Sequence, residues 1–148
     1  MLDIKPFFSP DIPAALALCA QANWNHIAAD WQRIVDLDPD MCVGGFEGRV
    51  LKATCSVIRF GTVGWVGTFL VDQSLRGKGC GKQVFEAMLN KARELGIEVL
   101  ALDSSDAGRP IYSKNGFVMT SLGNELWTGP NAGEADPDAP FERNDQSR

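Results

Sequence analysis

The stretch Arg76-Gly77-Lys78-Gly79-Cys80-Gly81-Lys82 constrains the fold of this chain more than any other. It follows an apolar, strand-like run from Trp65 to Val71 and leads straight into a helix with one apolar face. Alternating glycines let a backbone take positive φ angles and approach a ligand closely. The first N–H groups of the following helix lack intrahelical acceptors, and the macrodipole adds roughly half a positive charge there. Arg76, Lys78 and Lys82 put full positive charges at the same place. Strand, glycine turn and helix N-terminus together make a pyrophosphate cradle.

Spacing decides which cradle this is. A Walker loop needs Gly-x-x-x-x-Gly-Lys-[Ser/Thr], but Arg76 stands five residues before Gly81 and Gln83 follows Lys82. The dinucleotide fingerprint Gly-x-Gly-x-x-Gly fails as well, because its last glycine falls on Lys82 or on Val84. Arg-x-x-Gly-x-Gly does fit, on Arg76, Gly79 and Gly81. This pattern resembles the acyl-CoA loop of the GNAT superfamily of N-acetyltransferases. The resemblance implies that Arg76, Gly77, Lys78, Gly79, Cys80, Gly81 and Lys82 bind the CoA pyrophosphate. The loop by itself leaves open a plain glycine-rich turn before a surface helix.

A second segment carries the same resemblance. Val99 to Asp103 reads as a buried strand, and Ile111-Tyr112-Ser113-Lys114-Asn115-Gly116-Phe117 follows after a short connection. It is similar to the GNAT pattern of a helix ending in Tyr, two residues, then x-Gly-Phe. Gly116 suits the left-handed position that stops a helix, and Phe117 would begin the next strand. The resemblance covers about residues 1–128, is strong at 65–82 and 99–118, and is weak before residue 60.

Composition agrees with one domain. A chain of 148 residues, 45% apolar and 22% charged, has the make-up of an ordinary globular protein with one sizeable core. No apolar run approaches the ~20 residues that span a bilayer. Met1 to Lys5 lacks the basic start and apolar core of a signal peptide, so a cytoplasmic location is expected. Net charge is −5 without a basic stripe, which argues against nucleic acid as a partner and mildly favours a cationic amine. Cys19, Cys42, Cys55 and Cys80 show no paired spacing and no clustered histidines, so no metal is expected. Three of them read as reduced core thiols, and Cys80 as a small side chain in the cradle.

Periodicity orders the remainder. A strand is expected at 2–5, and a helix over about 11–22 capped by Ser9 or Asp11, with Ile12, Leu16 and Cys19 as its stripe and Ala15 and Leu18 beside it. A helix at 28–37 carries Trp31, Ile34 and Val35 and ends before Pro39. Strands at 41–46 and 49–60 flank a turn at Glu47-Gly48. After the strand at 62–71 comes the clearest helix, with Val84, Phe85, Met88, Leu89, Ala92 and Leu95 on one face and Gly96 at its end. Strand, helix and strand make a βαβ unit, so 62–71 and 97–103 should run parallel. The fold expected is α/β: a mixed sheet with splayed parallel strands flanked by helices. In that fold, the resemblance implies, the pantetheine arm enters the splay and pairs with the backbone of Phe69, Leu70 and Val71. From Gly129 onward the chain is rich in Pro, Asp, Glu and Asn, a composition expected to stay disordered.

Acetyl transfer needs a held thioester, a neutral amine and a proton for the departing thiolate. Tyr112 matches the family tyrosine that protonates CoA sulfur, and a phenol of pKa near ~10 is protonated at neutral pH. The alternative is a buried ring with its hydroxyl satisfied. Asp103, at the end of the second splayed strand, is the candidate base, with Asp106 in reserve and water as a third acceptor. Capping of the next helix competes for the same carboxylate, as it does for Ser104, Ser105 and Asp106. The family's frequent Asn here is absent, and Ser105 is assigned its contact to the pantetheine arm. Trp24, Asn25 and His26 lie off the helical pattern, where the resemblance places the acceptor; packing is the competing role. The function expected is acetyl-CoA-dependent N-acetyl transfer to a small-molecule or peptide amine. The alternative is a non-catalytic acyl-CoA sensor or partner subunit. A homodimer is an expectation of the resemblance alone.

Overall fold

The computed structural model describes residues 1–103 and 109–119 and the backbone path of 124–128. The chain runs β1 (Asp3–Pro6), α1 (Ile12–Gln21), α2 (Ala28–Leu37), β2 (Cys42–Glu47), β3 (Val50–Phe60) and β4 (Val63–Val71). It continues as α3 (Cys80–Glu94), β5 (Val99–Asp103), α4 (Arg109–Lys114), β6 (Val118–Met119) and β7 (Asn124–Thr128). Among the described residues, one sheet holds seven strands in the order β1-β2-β3-β4-β5-β7-β6. Among the described strands, β4 and β5 alone pair in parallel, as the βαβ reading requires. The α/β fold with a mixed sheet is thus present.

Each face of the sheet carries its own core. Phe46, Leu51 and Leu70 pack with Ile12, Leu18, Trp31 and Val35 of α1 and α2. On the opposite face Val57, Val66 and Leu100 pack with Val84, Phe85, Met88 and Leu89 of α3. Buried positions in α1 are Ile12, Ala15, Leu18 and Cys19, so the stripe is turned away from Leu16, which is half-buried. The Asp11 carboxylate accepts from Phe8 N at 2.9 Å and closes the turn before the helix, with no side-chain cap on α1 itself. The β2–β3 turn centres on Gly48 and Arg49, because Glu47 already pairs with Val50. Cys19, Cys42 and Cys55 are buried; burial pushes the Cys42 thiol up to about 12 and raises Cys55 as well.

β4 carries the irregularity that shapes the site. Thr54 pairs with Leu70 and Ser56 with Gly67, so Cys55 alone faces Thr68 and Phe69. Thr68 sits at φ 47, a region a β-branched residue seldom enters. Hydroxyl contacts hold it there. Thr54 Oγ1 donates to Thr68 O, and Ser56 Oγ lies 2.7 Å from Thr68 Oγ1. The extra residue inverts the alternation: Val66 faces α3 before the bulge, and Phe69 and Val71 face it afterwards.

Candidate active site

The parallel ladder between β4 and β5 is short. It runs from Val63↔Val99 to Trp65↔Ala101, while β4 continues to Val71. Past Trp65 the β5-facing edge of β4 has no strand neighbour among the described residues. A bulge increases local twist and bends its strand, and the one at Thr68 and Phe69 lies within this stretch of β4. The opening leads to the N-terminus of α3.

There the glycine loop takes the conformation its composition permits. Gly77 has φ 76 and Gly79 φ 82, and a Cβ at either would meet nothing within 4 Å. Backbone conformation, not crowding, therefore demands glycine at both positions. At Gly81 the φ angle is ordinary and a Cβ would fit tightly, 3.3 Å from Val71 Cγ2 and 3.4 Å from Phe69 Cζ. The Arg76 guanidinium donates through Nε to Val71 O at 3.2 Å, folding the loop back onto the strand end.

A cleft of about 580 Å³ opens over this loop, walled by α4 on its far side. Val71, Arg76, Gly77, Gly79, Gly81 and Lys82 line it, joined by Glu86, Ile111, Lys114 and Asn115. The Asn115 amide donates to Ile111 O at 2.8 Å, and Phe117 N to Tyr112 O at 3.0 Å; with Gly116 at φ 86 these bonds close α4. Three cations against one carboxylate leave the cleft positive on a chain whose net charge is −5. Such a wall attracts a polyanion.

The remaining candidate residues fall in distinct places. Lys78 is exposed and Cys80 is half-buried against the core beneath α3. The Phe69 ring packs against Phe85 at 5.3 Å and Tyr112 at 6.1 Å between centroids, whereas Leu70 points to the α1–α2 face. Tyr112 is buried on α4 within that aromatic group, 5.4 Å from Phe85 and 6.0 Å from Phe117. Asp103 is exposed at the end of β5, opposite Asn124. Ser105, like Asp106, lies outside the described residues. Trp24, Asn25 and His26 line a separate shallow pocket of about 460 Å³ with Asn23 and Asp30. Its lining shares no residue with the cleft. The His26 ring stands 5.5 Å from Trp24 and 6.2 Å from Trp31. Among the described residues, no group of His, Cys, Asp and Glu could hold a metal ion, and no helix is long and apolar enough to cross a membrane.

Sequence reasoning missed Glu86, Ile111, Lys114 and Asn115. Helical spacing offered a signal for two of them: Lys114 and Ile111 stand three apart in a short helix, on one face.

A strand that departs from its parallel neighbour beside a positive glycine loop is the arrangement that the GNAT resemblance implies. A family model of the acetyltransferase (GNAT) domain matches residues 31–126, and the chain belongs to that family. A rice (Oryza sativa subsp. japonica) protein named "Probable glucosamine 6-phosphate N-acetyltransferase 2" is 30% identical over 115 residues, 74% of this chain and 67% of that protein. Ard1 from Thermoplasma volcanium has the same fold at a TM-score of 0.76 and 18% identity, over 84% of this chain and 94% of its own. Diaminobutyrate acetyltransferase EctA from Paenibacillus lautus, solved with L-2,4-diaminobutyric acid and coenzyme A, matches at a TM-score of 0.69 and 15% identity. That match covers 77% of this chain and 74% of EctA. The chain spans only 43% of a Pyrococcus horikoshii protein matched at a TM-score of 0.71 and 21% identity.

Proposed function

We propose that this protein is an N-acetyltransferase that takes the acetyl group of acetyl-CoA and passes it to a primary amine by direct attack. The observation that carries this reading is the junction of two features: a positive-φ glycine loop at the N-terminus of α3 and a parallel strand pair that opens beside it. The pyrophosphate would sit on the amides of 77–82, with Arg76, Lys82 and Lys114 neutralising its charge. The pantetheine arm would extend along the open edge of β4 and take the place of the missing strand by pairing with backbone groups of Phe69, Leu70 and Val71. Coenzyme A in the EctA structure is consistent with acetyl-CoA as the cosubstrate here.

In the reaction the amine nitrogen forms a bond to the thioester carbon, and the carbon–sulfur bond breaks. Tyr112 supplies the proton to sulfur, which leaves as the thiol of CoA. The ammonium, of pKa near ~10, gives one proton to Asp103 or to water before attack, and the second N–H proton, lost as the amide forms, restores the Tyr112 phenol. No covalent enzyme intermediate is needed. Cys80 is packed against the core, and the one histidine, His26, lines the other pocket.

Trp24, Asn25 and His26 are assigned to the acceptor. Their pocket is lined by Asp30 and by no Lys or Arg, which suits an amine that carries positive charge. A panel of polyamines, amino acids, amino sugars and lysine peptides, scored by CoA release and by the mass of the product, tests the reading. Acetylation of one amine class supports it. Tight acetyl-CoA binding with no acetylated product would assign the fold to sensing instead.

A further inference from the structure

The glycine loop does not leave β4 directly. Between Val71 and Arg76 lies a single 3₁₀ turn, Gln73–Leu75, and its anchor is Asp72. This carboxylate is buried, and its Oδ1 accepts from Ser74 N at 2.9 Å and from Ser74 Oγ at 2.6 Å. The Asp72 backbone N–H donates to Lys52 O at 2.8 Å, and Lys52 Nζ stands 3.6 Å from Oδ2. The remaining contacts come from a residue 51 positions before Asp72. Gln21, the last residue of α1, donates through Nε2 to Asp72 Oδ2 at 3.1 Å and accepts from Gln73 N at 2.9 Å through Oε1.

One amide thus makes two bonds of opposite polarity to consecutive residues of the segment that launches the loop. Two such bonds fix direction as well as distance, because the planar amide cannot rotate without breaking one of them. They fasten α1, on one face of the sheet, to the base of the loop at the mouth of the cleft on the other. Arg76, four residues beyond Asp72, returns to Val71 O and completes the closed base.

We propose that Gln21 is a positioning residue for the cosubstrate: its paired bonds to Asp72 and Gln73 hold the glycine loop in the register that presents its amides to the pyrophosphate. The proposal rests on the reading of the cleft as the acetyl-CoA site. Loss of the latch leaves the loop free to sample other registers, and each must be given up when the pyrophosphate binds. The cost falls on donors that carry a pyrophosphate and spares those that lack it.

A reciprocal exchange tests this. Gln21→Glu sets a carboxylate against the Asp72 carboxylate, and Asp72→Asn sets an amide N–H₂ against that of Gln21. In the double variant, the carboxylate introduced at position 21 accepts from the amide introduced at position 72. It also still accepts from Gln73 N, so the latch reforms with its polarity reversed. Each single variant is expected to raise the acetyl-CoA Kd and KM about five-fold at unchanged kcat, and the double variant is expected to recover most of that loss. Acetyl-pantetheine, which has the thioester and no pyrophosphate, should react equally well with all four proteins. Equal losses on both donors, or singles and double alike in acetyl-CoA affinity, would reduce Gln21 to a structural contact. If a single variant fails to fold, the double variant with wild-type affinity still supports the latch, and a folded double variant with weakened acetyl-CoA binding overturns it. A wild-type protein that binds no acetyl-CoA at all overturns the functional reading, and this inference with it.

Discussion

Tyr112 is 7% exposed among Phe69, Phe85 and Phe117, so packing holds its ring whatever its hydroxyl does. Tyr112→Phe should therefore keep the fold and remove only the hydroxyl, the acid of the proposed mechanism. We expect kcat to fall about 10²–10⁴-fold in a chemistry-limited assay, with little change in acetyl-CoA affinity. Wild-type turnover would make Tyr112 a packing residue. Asp72 supports a second prediction. Hydrogen bonds from Ser74 and Gln21, with Lys52 nearby, hold its carboxyl well below the usual range. A depressed folded pKa contributes stability that is fully present above the unfolded value near ~3.9 and is lost as pH falls through the folded one. Denaturation midpoints measured between about pH 5 and 2 should fall more steeply for the wild type than for Asp72→Asn, where this titration is gone. This network was legible only in part. Asp72-Gln73-Ser74 has the local pattern of a side chain capping its own turn, but nothing in the sequence around Gln21 points to a partner 51 residues on.

Among the elements, α3 needs its loop in the left-handed region at Gly79. Gly79→Asp and Gly79→Asn both introduce a side chain tolerated there, and they differ in charge. Gly79→Asp is expected to abolish acetyl-CoA binding in a folded protein, and Gly79→Asn to weaken it much less, by calorimetry. Equal effects would show that bulk and not charge decides. The parallel pair has its own weak point at Gly64, where a Cβ would lie 2.6 Å from Val57 Cγ1 and 2.9 Å from Leu100 Cδ2. Gly64→Ala should cost about 1–3 kcal/mol in a urea titration, because a close-packed core must shift to admit it. Helices α2 and α3 and the βαβ unit were legible, since each rests on local periodicity and a glycine or proline stop. The bulge was not: Thr68 breaks the two-residue alternation of β4, and what holds it are hydroxyls on a different strand. The splay entered the reading through resemblance, not through periodicity. The placement of β7 between β5 and β6 was also hidden, because long-range pairing leaves no trace in a local pattern.

Across the whole molecule, the sheet separates two concavities. The positive cleft lies on the α3–α4 face, and the Trp24–His26 pocket adjoins α1 and α2. A ternary complex would bring cosubstrate and acceptor to the open edge of β4 from these two sides. Residues 129–148 lie outside the described residues, and Phe141 is their only large apolar side chain. A segment so poor in apolar groups has little to bury. We propose that deleting 130–148 leaves melting temperature and acetyl-CoA affinity nearly unchanged; a large loss of either would show that the tail docks. Acetyl transfer to nitrogen is the step on which all the rest depends, and single-turnover product analysis reaches it most directly. Purified protein is mixed with isotopically labelled acetyl-CoA and the amine panel, and the products are resolved by mass. Direct attack predicts one acetylated amine in step with free CoA thiol, and no labelled protein. Acetylated Cys80, or hydrolysis to acetate without acetylated amine, would contradict it.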